Sequence, residues 1–176
     1  MNNTPHTNCL TLRLLHAAKG YKAVAFDIFD TLLKRDCARP ADLFALMEVT
    51  HQAALGFAEA RVAAEAETRQ TLGREVTLAE IYAHPALRGT DPAAECAAEL
   101  AMIAPNRPVA QAAAACHARG QKVYAVSDMY LPKEQIEAML QKCGLDFLDG
   151  VFVSCEYRVQ KRSGKLFKLF LQQTAL

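Results

Sequence analysis

The chain has 176 residues, 52% hydrophobic and 22% charged, with a formal net charge of +1. That length and apolar content can bury one sizeable core and argue against wholesale disorder. The balanced charge leaves no electrostatic footprint for nucleic acid or an acidic membrane surface, and no apolar run reaches the roughly 18 residues that span a bilayer.

Residues 1–8 are polar and read as a frayed lead-in without the basic and apolar regions of a signal peptide. Residues 9–19 place Leu10, Leu14 and Leu15 on one helical stripe that Gly20 stops. The run KAVAFDIF at 22–29 predicts a buried parallel strand that spills into Asp27, Asp30 and Thr31. From about residue 40 the composition turns to alanine and glutamate, predicting helices at 41–52, 54–72, 77–83, 91–103 and 107–119. Thr77 and Glu80 have capping-box spacing, and Asp91–Pro92 reads as an N-cap followed by proline at the first helical position. Strand character returns in QKVYAVS at 121–127, a helix runs over 132–143, GVFVS at 150–154 forms a third strand, and a last helix starts near Gly164.

Strands alternating with helices predict an α/β fold with a Rossmann-like parallel sheet and right-handed crossovers. The helical stretch 37–119 is too long for one crossover. It is therefore expected to form a cap inserted after the first strand, with 1–36 and 120–176 making the core. The six cysteines, Cys9, Cys37, Cys96, Cys116, Cys143 and Cys155, have no zinc-like or redox spacing, and the simplest expectation is a reduced, cytoplasmic protein. His6, His16, His51, His84 and His117 form no ligand pattern and read as surface or structural groups. Met47, Met102, Met129 and Met139 read as core packing.

Ligands of open parallel sheets bind beyond the carboxyl ends of the strands. Three such ends here carry Asp27 with Asp30 and Thr31, then Ser127 with Asp128, then Ser154 followed by Lys161. A carboxylate, a hydroxyl and an ammonium meeting there suit phosphoryl transfer, the carboxylate attacking phosphorus and the others holding its oxygens. Lys161 lies in a basic run with Arg158, Arg162, Lys165 and Lys168, in which Lys165 is a rival for its role. Asp30 is either a loop-shaping partner or a displaced acid–base group, and Arg35 either a salt bridge at the cap hinge or an anion contact.

The segments AVAFDIFDTLL at 23–33, VYAVSDMYLP at 123–132 and VSCEYRVQKRSGKLF at 153–167 resemble the haloacid dehalogenase-like (HAD) hydrolase superfamily. FDIFDTLL together with SDMYLP, with Arg35, Pro40 and Phe44 after the first of these, is similar to a bacterial subgroup often found beside or fused to glycosyltransferases. The resemblance implies Asp27 as nucleophile and magnesium ligand and Lys161 as the third-motif lysine. It implies substrate-binding roles for Thr31, Ser127 and the adjoining Asp128, and offers the Phe29 backbone carbonyl to the metal. It further implies Mg²⁺ as cofactor, a small phosphorylated metabolite as substrate, and a glycosyltransferase neighbour or fused domain as partner.

Two positions depart from the family pattern. Phe29 stands where phosphatases of the family carry a second aspartate as general acid and base. The segment after Lys161, RSGKLFKLFLQQTAL, holds no acidic residue, so the metal-binding fourth motif and its strand are expected to be missing. The core is then expected to be incomplete, the chain a C-terminally truncated fragment, and the Asp27 strand an exposed sheet edge through which copies could oligomerise. The alternatives are a non-catalytic regulatory or docking module, and hydrolysis of a carbon–halogen or carbon–phosphorus bond, for which family relatives need no second aspartate.

Overall fold

The computed structural model describes residues 9–176, so the polar lead-in at 1–8, with His6, lies outside the described residues. Helix α1 (Cys9–Ala17) precedes strand β1 (Ala23–Phe26). A short ribbon strand β2 (Leu33–Arg35) leads into helices α2 (Asp42–Val49), α3 (Phe57–Leu72), α4 (Leu78–Tyr82) and α5 (Pro92–Met102). Strand β3 (Ile103–Pro105), α6 (Arg107–Ala118), β4 (Lys122–Ser127), α7 (Lys133–Lys142), β5 (Gly150–Val153), α8 (Ser154–Tyr157) and α9 (Lys165–Thr174) complete the order. The local start signals act as their residue types predict. Thr77 and Glu80 form the reciprocal capping box of α4, and the Asp91 side chain accepts from the Ala93 amide at the head of α5.

The main sheet is parallel, in the order β1-β4-β5. Phe26 lies opposite Ala125, and Ser127 opposite Val153. Central strand β4 is buried from Val123 to Ser127. The first strand ends earlier than the apolar run suggests, because residues 27–32 leave the sheet as a turn. β1 is also only half-buried, with Ala25 exposed: among the described residues it pairs with β4 alone. One face of the sheet packs Val123, Ala125, Val151 and Val153 against Ile136, Met139 and Leu140 of α7. On the other face Tyr124, Val126 and Phe152 pack on Leu166 and Phe170 of α9, where Phe170 meets Tyr124 and Phe152 edge-on.

Two features depart from the sequence expectations. The helix expected at 91–103 ends at Met102, and Ile103–Pro105 instead pairs antiparallel with Leu33–Arg35. This ribbon closes the neck of the insertion, and Asp36 N donates to Met102 O at 3.0 Å beside it. The second departure is α6, placed by sequence within the cap span 37–119. Its Val109, Ala113 and Cys116 belong to the same apolar cluster as Val123 and Ala125, and buried Thr11 of α1 donates to Pro108 O at 2.9 Å. α6 is therefore a crossover helix on the sheet, and the helices with a cluster of their own are α2 to α5.

That second cluster joins Leu43, Phe44, Met47, Phe57, Ala64, Val76, Ile81, Leu87 and Ala98. At its centre the fully buried Arg61 donates to both oxygens of buried Glu95, at 2.6 and 2.9 Å, and to Glu65 at 3.1 Å. Tyr82 donates its hydroxyl to Glu95 at 2.9 Å, and the Arg61 guanidinium lies 4.8 Å from the Phe44 ring centre and 4.7 Å from that of Tyr130. Burial works against the Arg61 charge, but the Glu95 hydrogen bonds and carboxylate field outweigh it and its pKa is raised. Burial, with Glu95 beside it, also pushes the Tyr82 phenol up.

Cap and core are tied by polar contacts. Leu78 N donates to Tyr130 O at 2.8 Å, and Gln135 Nε2 to Cys96 O at 2.6 Å. Lys142 Nζ reaches Leu100 O at 2.6 Å and Ala101 O at 3.1 Å near the C-terminus of α5, where a cation also meets the negative end of the helix dipole. Glu80 pairs with Arg74 within the cap and with Arg158 of the core.

Two predictions follow from this packing. Glu95→Ala strands the Arg61 charge in an apolar interior and is expected to cost about 3–5 kcal/mol in chemical denaturation, whereas Arg61→Met combined with Glu95→Leu costs much less. The second concerns Glu80, which the Arg74 hydrogen bond, with Thr77 N and Arg158 adding to it, holds down from the ordinary 4.5 to about 2. A depressed folded pKa gives stability that is present above pH 4.5 and lost as pH falls towards 2. The melting temperature of the parent should therefore fall more steeply over that window than that of Glu80→Gln.

Candidate functional site

Parallel pairing brings the ends of β1 and β4 to one edge of the sheet. The next residue after β1 is Asp27, and the last of β4 is Ser127. From the loop after α8, Lys161 reaches back between them: its Nζ donates to Asp27 Oδ1 at 2.5 Å and lies 3.5 Å from Val126 O. The pair is partly open, with side-chain exposure of 25% for Lys161 and 36% for Asp27, so a small substrate can approach both. Thr31 Oγ1 donates to Asp27 Oδ2 at 3.3 Å. The Ser127 hydroxyl makes no hydrogen bond among the described residues, although the residue is only 2% exposed. Sequence left Lys161 and Lys165 as rivals; Lys161 is the lysine on Asp27.

The loop after β1 is shaped by its backbone. Thr31 N and Leu33 N both donate to Ile28 O, at 3.3 and 2.9 Å, while Asp30 sits at φ 56°. Aspartate tolerates that left-handed conformation better than most residues. The Asp30 carboxylate is exposed and makes no hydrogen bond among the described residues. Asn106, which sequence reasoning missed, fixes the loop from the ribbon side: its Nδ2 donates to Thr31 O at 2.7 Å and its backbone N to Leu32 O at 2.8 Å. Its place at the head of α6 was the available signal, but only the ribbon puts it beside Thr31.

Asp128, exposed just after β4, anchors the lysine loop. Its Oδ1 accepts from the backbone N of Lys161 at 2.8 Å, which positions the lysine. Ser154, buried at the start of α8, accepts from Met129 N at 2.9 Å and donates to Met129 O at 3.3 Å, so it pins the loop that follows Ser127. Arg35 resolves as the salt bridge: its guanidinium grips Glu99 with two bonds of 2.8 and 2.9 Å, both side chains nearly buried. The same guanidinium lies 4.2 Å from the centre of the Phe29 ring. Phe29 is thus held by stacking where a second carboxylate would stand.

The donor set for magnesium is sparse. Asp27 supplies a carboxylate already paired with Lys161, and Phe29 can add a backbone carbonyl. No group of three or more His, Cys, Asp or Glu that could hold a metal ion occurs among the described residues. Magnesium usually keeps several waters and takes one or two carboxylates plus substrate oxygens, so Asp27 and the Phe29 carbonyl are the residues that would hold it. All six cysteines are free, and burial, with nearby carboxylates, raises the Cys155 thiol to about 12 while it donates to Leu131 O at 3.2 Å. No helix among the described residues is long and apolar enough to cross a membrane.

No family model matches the chain, and no curated protein sequence matches it. Solved structures do. The L-2-haloacid dehalogenase of Xanthobacter autotrophicus with chloropropionic acid covalently bound aligns at a TM-score of 0.54 and 20% identity, covering 88% of this chain and 65% of that one. A second structure of that dehalogenase gives 0.55, with the same identity and coverage. A further dehalogenase structure gives 0.57 at 16% identity, covering 90% of this chain and 73% of the other. The chain thus spans slightly less than two thirds of the length of the Xanthobacter enzyme. The parallel β1-β4-β5 sheet, with its helices and helical insertion after the first strand, has the haloacid dehalogenase-like fold.

Proposed function

We propose that the chain carries the hydrolase chemistry of a HAD-like enzyme, with Asp27 as nucleophile toward a small phosphorylated metabolite. The observation that carries this is the Lys161–Asp27 contact at 2.5 Å at the sheet edge where the unpartnered Ser127 hydroxyl also ends its strand. One Asp27 oxygen attacks phosphorus, the bond to the leaving alkoxide breaks, and water then cleaves the aspartyl-phosphate. Lys161 can turn from Asp27 to a phosphate oxygen as that oxygen gains charge, and Ser127 and Thr31 can donate to the others. Magnesium, when bound by Asp27 and the Phe29 carbonyl, would offset the charge on phosphate. With Phe29 in place of a carboxylate, proton transfer to the leaving group and from water lacks a positioned group, at a typical cost of about two to four orders of magnitude in rate. The free cysteines support a reducing compartment such as the cytoplasm.

A second reading is carbon–halogen hydrolysis, favoured by Phe29 in place of an acid–base carboxylate. Halide leaves without a proton, so the missing acid costs less there, and attack of Asp27 on carbon forms an ester that water opens. A panel of phosphomonoesters and 2-haloacids, assayed with magnesium and with chelator, separates the readings. Phosphate release by the parent should fall at least about a hundredfold in Asp27→Asn. Equal turnover in the two overturns the nucleophile assignment. Chelator-insensitive halide release moves it to the second reading, and no turnover of any compound leaves a docking module.

A further inference from the structure

We infer that Arg158 is a positioning residue for Lys161, and that Glu80 of the cap holds it to that task. The inference rests on Asp27 and Lys161 as the reacting pair proposed above. Arg158 follows α8 in the left-handed conformation, at φ 58° and ψ 25°, and its backbone N donates to Ser154 O. Glycine adopts that conformation without strain, and a residue with a Cβ does not. A turn required for the backbone alone would be better made by glycine, so the arginine side chain is what the strain supports. That side chain crosses from core to cap and donates to Glu80 Oε2.

Glu80 is a fixed acceptor. Arg74 Nη2 donates to its Oε1 at 2.6 Å and Thr77 N to its Oε2 at 2.9 Å. Helix α4, which carries it, is seated without Arg158: Leu78 and Ile81 are buried, and Leu78 N donates to Tyr130 O at 2.8 Å. The partner that the ion pair constrains is therefore the loop 158–161. Asp128 fixes the far end of that loop, accepting from Lys161 N at 2.8 Å. Arg158 fixes its near end, three residues before the ammonium that meets Asp27. The two side chains are 41% and 25% exposed, so salt screens the pair. Arg74 shares the Glu80 carboxylate, so neutralising Glu80 leaves two guanidiniums facing each other.

Native-state amide exchange by NMR reads the Lys161 amide directly, and kinetics across the phosphomonoester panel reads its ammonium. Arg158→Gln should speed Lys161 amide exchange about threefold, the yield of one exposed ion pair, and Arg158→Lys should restore the parent rate. Glu80→Gln keeps a capping side chain on α4 yet should speed exchange more than Arg158→Gln, because Arg74 and Arg158 then repel. Salt at about 1 M should narrow the gap between parent and Arg158→Gln. On a phosphomonoester that the parent hydrolyses, Arg158→Gln should lower kcat by a similar factor and leave KM unchanged, since Lys161 acts as charge builds on phosphate. Equal exchange in parent and Arg158→Gln overturns the inference. A lowered melting temperature with exchange and kcat unchanged also overturns it, by assigning the pair to stability alone. A parent that hydrolyses no phosphomonoester overturns the phosphate reading of Asp27, while the exchange rates still decide whether Arg158 positions Lys161.

Discussion

Everything at the candidate site depends on the parallel register of β1 on β4. With Phe26 opposite Ala125, the residue after β1 and the residues ending β4 leave the sheet at one level. Asp27 and Ser127 lie a hundred positions apart in sequence, and no local preference could bring them together. Lys161 closes the arrangement because β5 pairs with β4 in the same direction, so its loop emerges at the same edge. A slip of one residue would turn Asp27 to the other face of the sheet. Burial of β4 on both faces sets that register, since Val123, Ala125, Tyr124 and Val126 would each lose their neighbours in a slip.

Around this edge, polar side chains act mainly as fasteners. Asn106 holds the loop bearing Thr31, Ser154 pins Met129, and Asp128 fixes the Lys161 amide. Arg35 ties Phe29 to the cap through Glu99. These contacts are cooperative in a simple sense: each satisfies a backbone or charged group that would otherwise be desolvated unpaired. The cap meets Tyr130, in the loop after β4, in two ways, by Leu78 N on Tyr130 O and by Arg61 against the Tyr130 ring. Motion of the cap would therefore be felt within a few residues of Ser127.

The insertion shows how charge can be buried without a ligand. Arg61 and Glu95 are both fully buried, and their mutual hydrogen bonds, with Tyr82 and Glu65, account for the donors and acceptors they bring inside. Such a pair adds little net stability over a well-packed apolar core, but it penalises any arrangement that separates the partners. It thereby specifies how α3 and α5 meet, a choice that alanine-rich helices leave open because small side chains offer few distinguishing shapes.

By itself the sequence determined the alternation of strands and helices, the capping of α4 and α5, and the three strand ends that carry Asp27, Ser127 and Ser154, the last followed by Lys161. Those are local properties, written in apolar periodicity and in the residues that start and stop elements. The Leu33–Arg35 ribbon, the seat of α6 on the sheet and the work of Asn106 and Ser154 were decided by tertiary structure. Three-residue strands carry no periodicity, and a polar side chain acquires its role only when a distant backbone group arrives beside it. The same holds for Phe29 and Arg35. Their positions were legible in the chain, but the ring stacked under a guanidinium that Glu99 holds exists only because the cap folds back over the first loop.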